Sequence, residues 1–193
     1  MPTVAVVYFS AQGHTHQLAE AVAEGAKGVA GTTVELVRIV GADIHEGRWK
    51  NPSALATLNA ADAIVFGTPT YMAGYSSQIK AFMDGASEVW MKQGWKDKLA
   101  AAFTHSLGLS GDKLNTLEGL WLNAMQHGMV WVGLGEMVEG TAADKVNRIS
   151  SYSGAMAQTD WGQEAVNDGD RKTALILGKR VAEVAARWSK GKA

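Results

Sequence analysis

The chain has 193 residues, 47% of them hydrophobic, with 18 Lys and Arg against 19 Asp and Glu for a net charge of −1 and no cysteine. That length and apolar content suit one domain over residues 1–193 with a full core, and the balanced charge, with no basic stretch, argues against nucleic acid or an anionic membrane as partner. Lack of cysteine removes disulfides, thiolate nucleophiles and Cys-ligated metal centres, and no apolar run approaches the ~20 residues of a membrane span, so a soluble, cytoplasmic protein is expected.

Thr3–Phe9 has no polar alternation and reads as a strand covered on both faces, as inside a parallel sheet. Leu18, Val22 and Ala26, with Ala19 and Ala23 beside them, then repeat at helical spacing. The turn between them, Ser10-Ala11-Gln12-Gly13-His14-Thr15, aims free backbone N–H groups and two hydroxyls at one spot and contains no acid. Such a spot suits a phosphate, and the same residues also read as a plain helix cap. Neither G-x-G-x-x-G nor a Walker A sequence occurs, which counts against dinucleotide and nucleotide triphosphate folds.

Gly28 and Gly31 close the first helix, and Thr33–Ile39 alternates as a second strand with one wetter face. A polar connection over 41–50 leads to Asn51-Pro52, an N-cap with Pro at the first helical position, for a helix through Leu58. Asp62–Gly67 is a third, buried strand running into a second loop, Thr68–Tyr75. A helix follows from about Ser76, with Ile79, Phe82 and Met83 on its buried stripe and Gly85 at its end. Residues 87–98 read as a polar, mobile stretch carrying Trp90 and Trp95.

Leu99–Thr104 is a fourth strand of small residues, and it opens a third loop, His105–Gly111. Asp112 caps the next helix, with Leu114, Leu117, Trp121 and Met125 as one stripe and Gln126-His127-Gly128 as its close. Met129–Val132 is a fifth strand. The ~35 residues before the last helix are too many for a bare loop, and part of them, near Tyr152–Ala157, is expected to continue the sheet. Asp168 or Asp170 caps the final helix, which packs Leu175, Gly178, Val181, Ala182, Ala185 and Trp188, and the tail 190–193 frays.

Strands alternating with helices imply an α/β fold, a doubly wound five-stranded parallel sheet of order 2-1-3-4-5 with helices on both faces and right-handed crossovers. The loops after strands one, three and four then meet at the carboxyl edge. A ligand crevice at the switch point between strands one and three follows from the general rule, of which flavodoxin with FMN is an instance.

Ser10-x-x-Gly13-His14-Thr15, Gly67-Thr68-Pro69-Thr70, Trp90 and His127-Gly128-Met129-Val130 fall in order at fitting spacing. Together they make the chain, over residues 3–132, resemble the WrbA-like branch of the flavodoxin superfamily, the FMN-dependent NAD(P)H:quinone oxidoreductases. The resemblance implies that Ser10, Gln12, Gly13, His14 and Thr15 hold the FMN phosphate. It places Pro69, Thr70, Tyr71 and Met72 along the isoalloxazine, and Ser106, Leu107, Gly108, Leu109, Ser110 and Gly111 along its pyrimidine edge and ribityl chain. Trp90 and His127 match positions bordering the space where nicotinamide and quinone take turns, His127 also as a candidate proton donor. A homo-oligomer, dimer or tetramer, is implied as well. The chain departs from the family pattern in two of these loops: Thr70-Tyr71-Met72-Ala73 stands where Thr-Arg-Phe-Gly is usual, and two hydroxyls of the third loop are replaced by Leu107 and Leu109.

The expected activity is hydride transfer from NADH or NADPH through FMN to a quinone-like acceptor. A one-electron carrier of flavodoxin type is the alternative, although carriers that meet basic partners are usually steered by strong negative charge, unlike this chain. An FMN-free interaction protein of the same fold is a third reading, predicting no yellow colour. The five histidines lack zinc spacing, so no metal is expected, and no G-x-S-x-G elbow is present. His105 reads as a strand-end residue and His127 equally as a helix C-terminus before glycine. Trp90, Met91, Trp95 and Trp161 read as interface anchors.

Overall fold

In a computed structural model, which describes residues 1–191, the chain alternates strands and helices throughout. The expected frayed tail falls partly on Lys192 and Ala193, outside the described residues. β1 (Thr3–Tyr8) leads to α1 (His14–Lys27), β2 (Thr33–Arg38), a short hairpin β3–β4 (Ile44–His45 and Arg48–Trp49) and α2 (Pro52–Ala60). β5 (Ala63–Tyr71), β6 (Gly74–Tyr75), α3 (Ser77–Gly85), α4 (Ser87–Met91) and β7 (Leu99–Ser106) follow. The chain continues with α5 (Lys113–Gln126), β8 (Val130–Trp131), β9 (Ala155–Gln158) and α6 (Asp168–Lys190).

The main sheet has the order β2-β1-β5-β7-β8, with parallel pairing along it. β8 pairs with the start of β7 (Leu99 opposite Val130) and β9 with its end (Phe103 opposite Ala155 to Ser106 opposite Gln158). The fifth position is therefore shared by two short strands flanking an insertion over 132–154, and the counted order is the expected 2-1-3-4-5. Val4, Val6, Val65 and Phe103 pack under α1 and α6, while Ala5, Val7, Phe66 and Ala102 pack under α3 and α5. Each central strand alternates between two buried layers, which explains its lack of polar residues.

Helices α1 and α6 cross at glycines. A Cβ on Gly25 would lie 1.9 Å from the Leu175 carbonyl oxygen, and one on Gly178 would lie 1.9 Å from that of Val22. The Asn51 side chain accepts from Ala54 N–H at 3.0 Å, the cap its sequence announces.

Several expectations need correction, including those that Asp112 caps α5 through its side chain and that Trp188 packs on the sheet side of α6, where it is 40% exposed. The stretch 87–98 contains α4 and fully buries Trp95, whose indole N–H donates to Asn59 Oδ1 at 2.7 Å. The connection 41–50 is a short 3₁₀ turn and a hairpin that buries Trp49 edge-on against Phe82. On α5 the buried face is Lys113, Leu117, Leu120 and Ala124, and Leu114, Trp121 and Met125 are exposed. Asn167 occupies the N-cap of α6 without a side-chain cap bond, so neither Asp168 nor Asp170 caps it. Asp170 sits in the first turn and pairs with Arg148, both carboxylate oxygens accepting at 2.8 Å.

Candidate active site

The carboxyl ends of β1, β5 and β7 border a cleft of about 560 Å³ with no acidic side chain in its lining. Its first wall is the turn after β1. Gly13 takes φ +97 at the N-cap of α1, a left-handed conformation that glycine adopts freely, and its N–H donates to Ser10 Oγ at 3.2 Å. Arg38 fixes the same turn by donating to the Ser10 carbonyl at 3.2 Å. Asn51 and Ser76 side chains cap α2 and α3, whereas α1 has no side-chain cap and no acid in its first turn. The opening amides of α1 are thus left for another acceptor, with Ser10, His14 and Thr15 beside them in the cleft wall. This donor set fits a phosphate.

The second wall is not the expected loop. β5 extends through Tyr71 and turns back into β6 as a two-residue hairpin, with Met72 (φ +46) and Ala73 (φ +64) at its tip. Positive φ at both positions is the type I′ geometry that matches strand twist. Pro69 is tolerated in β5 because β1 ends opposite Gly67, which leaves β5 a ladder on one side only at that height. Below Tyr71 a hydroxyl chain is buried. Thr104 Oγ1 donates to the Thr68 carbonyl (2.7 Å), so it accepts from Thr70 (2.8 Å), which accepts from Thr116 (2.8 Å). Thr70 therefore offers the cleft a lone pair and a methyl group.

The third wall begins two residues later than expected, because β7 runs through His105 and Ser106 to pair with Pro69 on one side and β9 on the other. Ser106, Leu107, Gly108 and Gly111 line the cleft, while Leu109 and Ser110 face a neighbouring groove near Tyr152. Lys113, which no local sequence signal marks as a site residue, is 1% exposed beneath this loop. Burial lowers its pKa to about 8; the Asp170 carboxylate opposes that shift and the Arg148 charge adds to it. His105 is lowered to about 3, first by burial and then by the charges of His14 and Lys113.

One lining residue comes from outside the three loops. Trp161, expected at an interface, is 89% exposed on the cleft rim in the segment after β9. Nothing in its local sequence marks it as a site residue.

Trp90 and His127 do not line this cleft within the chain. They share a second groove with Tyr75 and Asn123, between α4 and α5. His127 is 2% exposed, its ring lies 4.5 Å from that of Trp95, and burial lowers its pKa to about 4. Its helix C-cap position, followed by Gly128 at φ +68, matches the structural reading of that sequence.

Residues 2–144 match the family model described as NADPH-dependent FMN reductase. A curated protein named flavodoxin FldP, from Pseudomonas aeruginosa, is 36% identical over 95% of this chain and 97% of its own. An NAD(P)H dehydrogenase (quinone) from Geotalea uraniireducens is 33% identical over 97% of this chain and 99% of its own. Among solved structures, that of the flavodoxin, WrbA-like protein from Agrobacterium tumefaciens matches with a TM-score of 0.77 and 43% identity. It covers 97% of this chain and 99% of that one.

Proposed function

We infer, from the premise that this chain belongs to the NADPH-dependent FMN reductase family in its WrbA-like flavodoxin branch, that it is an FMN-dependent NAD(P)H:quinone oxidoreductase. The single observation that carries the cofactor reading is the uncapped, acid-free N-terminus of α1 opening beside Ser10 and Thr15 into the cleft. Relatives named for NAD(P)H and quinone support the activity.

In this reading Ser10, Gln12, Gly13, His14 and Thr15 hold the phosphate through amides and hydroxyls. Pro69, Thr70, Tyr71 and Met72 form the side of the ring pocket, and Ser106, Leu107, Gly108 and Gly111 its polar edge. FMN, when bound, would supply the two-electron redox chemistry between NADH or NADPH and a quinone-like acceptor. The chain's own part is orientation and exclusion of water. Tyr71, 46% exposed, offers an aromatic face where the family pattern has Arg-Phe. Trp161 lines the same cleft from the segment after β9. His127 takes no part at this cleft, because it lies in the second groove between α4 and α5.

Trp90 reaches such a site only from another copy. Its 43% exposure on α4, beside exposed Met91 and in one groove with exposed Leu122 of α5, supports a dimer or tetramer in which this face meets a neighbour. Among the described residues no helix is long and apolar enough to cross a membrane, in keeping with a cytoplasmic enzyme using dissolved substrates.

A second reading, one-electron carriage, is favoured by the relative named as a flavodoxin. Anaerobic stopped-flow mixing of the FMN-loaded protein with NADPH or NADH, then with benzoquinone, separates the two. Rapid bleaching by the nicotinamide and recovery by quinone supports the oxidoreductase. An FMN-loaded protein that neither nucleotide bleaches is a carrier.

A further inference from the structure

Lys113 opens α5 directly behind the third loop, and its ammonium ends among loop oxygens. Nζ donates to Ser106 Oγ at 2.9 Å, to the Gly108 carbonyl at 2.6 Å and to the Leu109 carbonyl at 2.8 Å. These bonds use all three of its protons, and every acceptor is neutral. A cation buried without a carboxylate partner is costly, so its retention calls for a gain elsewhere.

The gain lies in the polarity of the loop. Trans peptides are planar, with N–H opposed to C=O. With the Gly108 and Leu109 carbonyls drawn to Nζ, the N–H groups of Leu109 and Ser110 point away from the ammonium. Ser106 Oγ adds to this set by donating to the Gly108 carbonyl at 3.0 Å. Ser106 and Gly108 themselves line the cleft, which leaves the lysine charge one hydrogen bond from its wall. The loop that has lost two hydroxyls to Leu107 and Leu109 thereby has a buried charge in support.

We propose that Lys113 is a positioning residue for the flavin: it holds the third loop with carbonyls toward its ammonium and amides away from it, and places a fixed positive charge beside the cofactor edge which that loop receives. The inference rests on the FMN reading above. Reduction makes the pyrimidine edge of a flavin more electron-rich, so a cation there favours the reduced form. The groups facing Lys113 are His105, stacked on His14, and the Arg148–Asp170 pair, whose charges offset each other.

The test compares Lys113→Met and Lys113→Gln with the wild-type protein. FMN affinity is read by flavin fluorescence and the two-electron midpoint potential by dye-referenced photoreduction, with circular dichroism of each apoprotein as the fold check. Lys113→Gln, which keeps donors without charge, is expected to hold oxidised FMN within a few-fold of wild type. Its preference for reduced over oxidised FMN is expected to fall about tenfold, which is ~30 mV for a two-electron couple. Lys113→Met is expected to weaken oxidised FMN about tenfold as well. In wild type the excess preference over Lys113→Gln is expected to shrink as pH rises through about 8. Wild-type affinity and potential in a folded Lys113→Gln would overturn the proposal while leaving the FMN site standing. Failure of the wild-type protein to bind FMN would overturn both.

Discussion

The imidazoles of His14 and His105 stack with centroids 4.6 Å apart and planes inclined by 21°, tying the first turn of α1 to the end of β7. Both rings pass their Nε2 atoms to one segment. That of His14 donates to the Gln163 carbonyl at 2.6 Å, and that of His105 lies 2.9 Å from Thr159 Oγ1. The segment so anchored carries Trp161. A residue with no hydrophobic support of its own is therefore held at the cleft by two histidines that line it.

His105 and His127 give stability a defined pH dependence. Their folded pKa values, about 3 and about 4, lie below the ordinary 6.5. Between those limits the unfolded chain binds more protons than the folded one, so stability is complete above pH 6.5 and falls as the pH drops through 6 and 5. Urea midpoints measured across pH 4 to 7 are expected to show this decline. His105→Asn and His127→Asn should each flatten it, and an unchanged slope in both variants would contradict the burial argument.

Trp161→Ala separates site from scaffold. Because its side chain is 89% exposed, the substitution is expected to change stability by less than ~0.5 kcal/mol. FMN affinity is expected to fall several-fold, up to about tenfold, since an aromatic contact of this kind is worth roughly 0.5–1.5 kcal/mol. Fluorescence titration and thermal melts on the same samples check both halves.

The hairpin tip lacks the residues its geometry favours. Met72 and Ala73 adopt positive φ without being Asn or Gly, at a cost of roughly 1 kcal/mol each. Met72→Asn with Ala73→Gly is expected to raise stability by about 1–2 kcal/mol. The family pattern named above, with Gly at the position of Ala73, fits the same left-handed requirement. Chemical denaturation provides the measurement.

Arg148 joins the insertion to α6 through Asp170, which also accepts from Gln158 N–H in β9 at 3.0 Å. The pair is 7% and 1% exposed. Asp170→Asn leaves a buried guanidinium without its counter-charge and is expected to cost about 3–5 kcal/mol. A loss under 1 kcal/mol in urea unfolding would show that the insertion is held otherwise.

Local signals explain what the sequence made legible. Asn51-Pro52 caps its own helix, Gly13 takes the conformation its turn needs, and the apolar runs of β1, β5 and β7 state their double burial. Long-range contacts explain the rest. Lys113 looks like any surface lysine until the third loop folds over it, and Trp95 sits in a polar stretch yet fills the space beside Phe82 and His127. The apolar residues of α5 occupy two adjacent stripes, and only packing on the sheet selects Leu117, Leu120 and Ala124 over Leu114, Trp121 and Met125. The Met72-Ala73 tip had no turn residue to announce it, which is why a hairpin read as a loop.

The phosphate turn is tested by titrating the purified apoprotein with FMN by flavin fluorescence, beside a variant with Ser10→Leu and Thr15→Leu. Saturable, tight quenching by the wild-type protein is expected, with at least a hundredfold weaker binding by the variant, which corresponds to about 2.7 kcal/mol. Equal binding by both proteins would contradict the assignment of the phosphate to this turn, and binding by neither would contradict the flavin site as a whole.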